Sequence, residues 1–435
     1  MNIWAWIGLL GILMFSLLPL LKKENRTKEE IRRTIVTGLM VLGIIVAVLI
    51  FNVNYLLALI AGFIAMIVFD KKTYTKKRII IYGSFILVVG IASYFFFRDN
   101  PDYILNHLKA HPQTTSLYVA ENGEKLITYH SDIVRPLAST VKMLIAVEYA
   151  MQINAGKITK DSPVSLDNLK RYYIKNTDGN AHEDWLKTMS SEGKIKNNAV
   201  TLHDVAKGMI TYSSNANTDF LIDVLGISNI NERAKSLKLT QHEEVYPIVS
   251  ALLISEDIEN ETSEKQLIKK LREMPIATYR SIAEDLSEQM KVGTIIAEEI
   301  SFDMSMNLQK VWSDRLIGAS ANDYGKLLAI ISNDALPEGA AATVRDLLEW
   351  PMQYNEQNHE RFVHLGAKGG STAFVLNDAI YAEDHNGNKI EMVILTDDLN
   401  LWQGLLIRKN MNSFESKLLG SKDYRLQVQK KLSES

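Results

Sequence analysis

PLASTVKMLIA, residues 136–146, is the stretch on which the reading of this chain turns. Ser139 and Lys142 stand three residues apart, and the apolar run 143–151 behind them reads as an amphipathic to buried helix. A Ser at a helix start and a Lys three positions later share one helical face. An amine within reach of a hydroxyl takes its proton when burial and neighbouring charge lower the amine's pKa. The helix N-terminus favours developing negative charge, and its free N–H groups hold an oxyanion. Alone the pattern is common, and an ordinary N-cap accounts equally well for the Ser.

Two later clusters bear on it. In Tyr212-Ser213-Ser214-Asn215 a hydroxyl and an amide two residues apart can face a cleft from a short loop. Ser213 would relay a proton to a leaving nitrogen, while Asn215 would bind a substrate carbonyl and steady the Lys. The other reading is a helix cap involving Asp219. In Lys368-Gly369-Gly370-Ser371-Thr372, leading into a strand, two glycines let a substrate backbone lie close against a strand edge, and the Lys offers a positive charge to a carboxylate. An ordinary glycine turn before a strand is the alternative.

Ser-x-x-Lys, then Ser-x-Asn, then Lys-x-Gly before a late strand resembles the signature of the serine penicillin-recognising enzymes, and the domain resembles class A β-lactamases in particular. PLASTVKMLIA is similar to that family's nucleophile helix and ITYSSNANTDFLI to its second loop; GASANDYGKLLAII is similar to the helix before the third motif, and AKGGSTAFVLNDAIYA to the third motif and its continuation. The resemblance covers most of residues 112–435. It implies an acylated nucleophile at Ser139, with Lys142 as its base or proton relay. It places Ser213 and Asn215 in the cleft, Lys368 on a substrate carboxylate, and Gly370, Ser371 and Thr372 along the substrate. The implied oxyanion hole is the backbone N–H pair of Ser139 and Ser371, and no cofactor or metal is implied. Ser214 stands where the family commonly has Asp, and Gly369 where it commonly has Thr. The family's Glu-x-x-Leu-Asn segment, whose Glu activates the deacylating water, is absent; Glu243 and Glu244 are the nearest candidates for that base. The stretch between Ser213 and Lys368 is longer than in the family, which points to an insertion over about 250–310.

Neighbouring families fit less well. Tyr212 lies three before Asn215, the wrong spacing for a Tyr-x-Asn motif. His359-Glu360-Arg361-Phe362-Val363-His364 has one residue too many for two zinc ligands on one helical turn. His182, His203 and His242 are scattered and read as surface or packing residues.

Outward from the motifs, 116–121 and 125–130 read as strands around Asn122-Gly123, a strong hairpin signal. Residues 202–225 read as one or two helices, and 251–350 as helix-rich, with the acidic run Glu256, Asp257, Glu259, Glu261 and Glu264 as a solvated face. Strands return at 373–382 and 390–396 around a turn at 385–388, and a last helix is expected over 422–432. Strands at both ends with helices between predict an α+β domain of the β-lactamase/D,D-peptidase type, its antiparallel sheet built from both ends and a helical subdomain inserted.

The first 100 residues carry 12 Lys/Arg against 5 Asp/Glu, and the rest carry 36 against 46. The acidic part would repel nucleic acid. There is no Cys, hence no disulfide, thiolate nucleophile, Cys-ligated zinc or iron–sulfur cluster. Residues 3–21 and 79–97 are uncharged apolar runs, each of 19 residues, close to the ~20 that cross a bilayer. The uncharged stretch 34–69, interrupted by Asn52 and Asn54, reads as a hairpin of two spans, 34–51 and 55–69. The loops 22–33 and 70–78 are rich in Lys and Arg, which predicts that both are cytoplasmic and that everything after residue 97 is outside. The first run lacks a basic leader and a small-residue cleavage site, so it reads as a span rather than a cleaved signal.

The expectation is therefore a multi-pass protein of the bacterial cell membrane. Residues 1–100 form a membrane α-helical region, and residues 101–435 an extracytoplasmic serine hydrolase acting on a β-lactam or related amide. A D,D-peptidase or transpeptidase acting on peptidoglycan stem peptides, and a module that binds such ligands with little turnover, remain as alternatives.

Overall fold

The computed structural model describes residues 99–258, 263–300 and 304–434, with Ile35 alone upstream of them. The four expected spans lie outside the described residues, Ile35 apart, as do Glu259 and Glu261 of the acidic run. Among the described residues no helix is long and apolar enough to cross a membrane.

Residues from Asp99 onward form one unit. It opens with helix α1 (Pro101–Ala110), capped by Asn100, whose side chain accepts from Asp102 N at 3.1 Å. The hairpin β1 (Thr115–Glu121) and β2 (Glu124–Tyr129) follows, turning at Asn122 and Gly123, both at positive φ as the Asn-Gly pair requires. A short strand β3 (Val134–Pro136) leads through one 3₁₀ turn, Ala138–Val141, into helix α2 (Lys142–Asn154). The next labelled helices are α3 (Ala181–Ser191), α4 (Asn215–Leu225), α5 (Ile276–Val292) and α6 (Met306–Asp314). A strand β4 (Gly318–Ser320) pairs with β3, and α7 (Ala321–Ser332) follows it. The chain then returns to the sheet as β5 (Phe362–Ser371), β6 (Leu376–Asp384) and β7 (Lys389–Thr396), and ends in α8 (Leu401–Gly420) and α9 (Lys422–Ser433).

The main sheet runs β2-β1-β7-β6-β5, antiparallel throughout, so the first hairpin closes against the last strand, with Thr115 opposite Thr396 and Glu121 opposite Ile390. Both faces are buried. Leu117, Val119, Ile380, Met392 and Ile394 pack on one side with Ile104 and Leu108 of α1 and Ile407, Met411, Phe414 and Val428 of α8 and α9. Their neighbours Tyr118, Ala379, Tyr381, Val393 and Leu395 pack on the other with α2 and α7. The period of two along each strand thus serves two cores. Helix α2 lies in the second, with Met143 to Ala150 all buried, which explains why its sequence shows little polar face.

Two expectations change and one is sharpened. The stretch read as one or two helices over 202–225 is two: Leu202–Lys207 is helical, Gly208–Tyr212 forms a π turn, and Ser213 sits at φ 66°, so α4 starts afresh at Asn215. The Lys368–Ser371 cluster lies within β5 rather than in a turn ahead of a strand. Helix α8 was not foreseen, although Ile407, Met411, Phe414 and Leu418 recur at helical spacing and are its buried stripe.

Candidate active site

Three of these elements meet around a cavity of about 610 Å³. Ser139, half-buried in the 3₁₀ turn, lines it with Ser213, Asn215, Lys368, Gly370, Ser371 and Thr372. The structure thus brings together every residue expected there except Lys142, which lies fully buried directly beneath, and Glu243 and Glu244, which lie elsewhere.

The Ser139 turn is fixed from two sides. Leu137 N donates to Ile317 O at 2.9 Å. On the sheet side, Asn377 of β6 donates to Pro136 O at 2.8 Å and Leu137 O at 3.2 Å, and its own carbonyl accepts from Thr396 N at 2.8 Å. Strand β5 passes directly over the turn at Gly370. A Cβ there would stand 2.8 Å from Ser139 N and 2.7 Å from Thr140 N, and would also press on Leu137 O. Gly370 is therefore needed for the close approach, whereas a Cβ at Gly369 would meet only ordinary contacts of 3.5–3.8 Å. This approach sets the N–H of Ser139 beside the end of β5, where Ser371 stands.

Lys142 Nζ donates to Ser213 O at 2.7 Å, Asn215 Oδ1 at 2.8 Å and Ser213 Oγ at 3.2 Å. Lys368 Nζ donates to the same Ser213 Oγ at 3.0 Å and to Gly369 O at 2.8 Å. One hydroxyl is thus held between two amines. The left-handed turn at Ser213 makes this possible, because it points the carbonyl and the hydroxyl of one residue at one ammonium. Ser214, where Asp was the common family residue, takes the cap: its buried Oγ accepts from Asn217 N at 3.2 Å and lies 3.0 Å from His182 Nδ1. Burial holds that His182 imidazole down at a pKa of about 4, so it is neutral.

Burial drives the Lys142 ammonium well below its ordinary pKa, and the charge of Lys368 pushes the same way; Asp178 and Asp219 oppose both. Burial lowers Lys368 to about 8, with Asp378 pulling upward. Asp378, opposite Gly369 in the sheet register, lies against Glu415 of α8, and burial raises both carboxyls. Thr372 turns out to close the β5–β6 turn: its Oγ1 accepts from Phe374 N at 3.0 Å and Val375 N at 3.1 Å and lies 2.8 Å from Ser313 Oγ of α6.

Glu243 and Glu244 need correction as candidates for the deacylation base. Both reach toward Arg280 of α5, at 3.4 and 3.2 Å, and Glu243 also accepts from Gly318 N at 3.2 Å. Neither lines the cavity. The nearby segment that does reach it is held by Asp219, which accepts from Ile248 N at 2.9 Å and Val249 N at 2.7 Å. Asp219 is therefore a loop anchor rather than a cap. Tyr246, buried beneath the loop, donates to Arg315 O. The side chain this loop gives to the cavity is Ile248.

Sequence reasoning missed Asn377, Asp178 and the anchoring use of Asp219. Asn377 was quoted only as part of a strand. Asp178 sits in a loop where Asn176, Gly179 and Asn180 all take positive φ, and only that Asn/Asp/Gly density hinted at a built turn.

A family model described as the β-lactamase enzyme family matches residues 101–414. No curated protein matches the chain. Among solved structures, PBP-A is similar at 16% identity over 73% of this chain and 94% of its own, with a TM-score of 0.43. A β-lactamase from Sphaerobacter thermophilus is similar at 15% identity over 74% and 97%, TM-score 0.45. A class A β-lactamase from Bacteroides cellulosilyticus is similar at 14% identity over 78% and 98%, TM-score 0.42.

Proposed function

The chain belongs to the β-lactamase enzyme family and is a serine hydrolase, and from that premise we propose that it works by acyl transfer of the class A type, with Ser139 as the nucleophile. The observation that carries the reading is Ser213 Oγ held between Lys142 and Lys368 at 3.2 and 3.0 Å. Lys142, driven toward its neutral form by burial, takes the Ser139 proton as Oγ attacks the carbonyl. The backbone N–H groups of Ser139 and Ser371 receive the negative charge that develops on the carbonyl oxygen. The proton then passes from Lys142 through Ser213 to the leaving nitrogen; Ser213 Oγ accepts from both amines, which leaves its own O–H to donate to that nitrogen. Lys368, still charged below about pH 8, attracts a carboxylate on the substrate.

The substrate class is a β-lactam or a related amide. Ile248 favours a second reading beside it. The loop wall that would need a carboxylate to activate water offers an apolar side chain, so the acyl-enzyme waits for another acceptor. That suits a D,D-peptidase or transpeptidase acting on peptidoglycan stem peptides. We also propose that residues 1–100 anchor the chain by four spans with residues 101–435 outside, as the Lys/Arg-rich loops 22–33 and 70–78 imply; reporter fusions after residue 97 with cytoplasmic-type activity would overturn it.

The test of the reaction is intact-mass analysis after exposure to penicillin. A covalent adduct on the unsubstituted protein, absent from Ser139→Ala, supports the reading, and an adduct that persists in Ser139→Ala moves the nucleophile elsewhere. An adduct lasting minutes or more favours the peptidase reading, and rapid turnover favours an ordinary β-lactamase.

A further inference from the structure

Beside the three motif clusters, the cavity wall holds a carboxylate that none of them contains. Asp178 lies in the loop just before α3 and lines the cavity with Thr177 and Gly179. Its Oδ2 accepts from His182 N at 3.1 Å; burial pushes the carboxyl's pKa up, and the backbone N–H groups of His182, Ala181 and Asn215 that face it pull the other way. The first two belong to the opening turn of α3, where the free N–H groups favour an anion. The third opens α4 and belongs to the residue whose side-chain carbonyl holds Lys142 at 2.8 Å. Asp178 therefore faces the backbone of Asn215, while Asn215 holds the lysine by its side chain. The remaining oxygen, Oδ1, is buried and has no hydrogen-bond partner. A buried carboxylate oxygen without a donor is costly unless its charge is answered through space.

We propose that Asp178, on the cavity wall with one buried carboxylate oxygen left without a donor, is a positioning residue of the acylation step, a counter-charge to Lys142. The inference rests on the acyl-serine reading above. Without an answering charge, a lysine that is fully buried and faces a second lysine is a poor base, since both effects expel its proton. The groups facing Lys142 are Lys368 from β5, Asp178 from the α3 loop and Asp219 from α4. Asp219 already accepts two loop N–H groups that it must keep. Around Asp178 itself stand Lys142, the neutral His182 and Tyr173, the last with Glu183 as a further neighbour. Of the two carboxylates, Asp178 is the one with a buried oxygen left without a donor.

The test measures acylation of the full-length protein in detergent by a fluorescent penicillin, as an initial rate across pH 5–10. Asp178→Asn keeps an acceptor for the Asn215 N–H and removes the charge. Lys142 should then lose its proton more easily, so the acidic limb of the profile moves down by about one pH unit, and the plateau falls several-fold as the base weakens. Asp178→Glu, which keeps the charge, should return the limb toward its original position. If Asp178→Asn does not fold, Asp178→Ser removes the same charge and carries the same comparison. A limb that stays in place in the folded neutral variant overturns the proposal, whatever happens to the melting temperature. Absence of labelling in the unsubstituted protein at every pH would instead sink the acyl-serine reading itself, so the two failures are distinguishable.

Discussion

The two sides of the cavity differ in what they offer a reacting carbonyl. The Ser139 side is well equipped: a buried lysine with three hydrogen bonds, a hydroxyl shared with a second lysine, and a glycine strand edge pressed on the Ser139 turn. The loop facing it is equally well built, pinned by Asp219 and Tyr246, yet presents Ile248. Both sides are hydrogen-bonded in place, so the difference is one of chemistry. One side gathers hydroxyls and amines and the other presents an apolar residue, which teaches that the two walls of one cavity can be furnished independently on one fold.

The harshest way to break this contrast is on the equipped side. Ser139→Ala should abolish covalent labelling, and Lys142→Ala should slow it by about two to four orders of magnitude, the usual worth of a positioned base. Next comes the anchor of the bare side. Asp219→Ala leaves the buried N–H groups of Ile248 and Val249 without their acceptor, and should cost about 2–4 kcal/mol in chemical denaturation; a loss below about 0.5 kcal/mol would show that the loop is held by packing alone.

The contrast sharpens if the bare side can be furnished. Ile248→Glu sets a carboxylate on the cavity wall, and should shorten the penicillin adduct's lifetime about tenfold. An unchanged lifetime would mean that deacylation is limited by something other than a base. Lys368 supplies a pH test of similar size. Its ammonium is charged below about pH 8 and neutral above it, so KM for an anionic β-lactam should rise above that pH by about tenfold per unit, and Lys368→Arg should move the rise to higher pH. The smallest effect is expected at Glu243 and Glu244. Either Glu→Gln change weakens a pairing with Arg280 away from the cavity, and Gln at 243 keeps an acceptor for Gly318 N, so adduct lifetime should stay within about twofold and stability within about 1 kcal/mol. A trapped adduct in either variant would restore them as the base.

Legibility followed the range of the interactions. The hairpin at Asn122-Gly123 was readable because turn chemistry is local, and the two-ended sheet was readable because strands at both ends of a domain have few other ways to be paired. Helix α2 was readable in position but not in surroundings: a helix buried all round shows no stripe from which to infer its neighbours. A short loop at Ser213 was readable from its polar cluster, but its left-handed turn was not, since Lys142, which that residue's carbonyl and hydroxyl both meet, lies 71 residues away.

The order of Ser139-x-x-Lys142, Ser213-x-Asn215 and Lys368-x-Gly370 was fixed in the sequence by itself, because each cluster needs particular atoms a few residues apart. So was the absence of the family's Glu-x-x-Leu-Asn segment. What took its place was decided only in the tertiary structure. Glu243 and Glu244 were as near in sequence as any acid to the missing position, but Arg280, 36 residues beyond Glu244, draws them outward, while Asp219 turns Ile248 in. Asp178 came to the lysine by the same kind of long-range fit, 37 residues before Asn215. Charges act through space and hydrogen bonds through contact, so their partners are set by which segments the fold lays side by side, and nothing local in the chain records that choice.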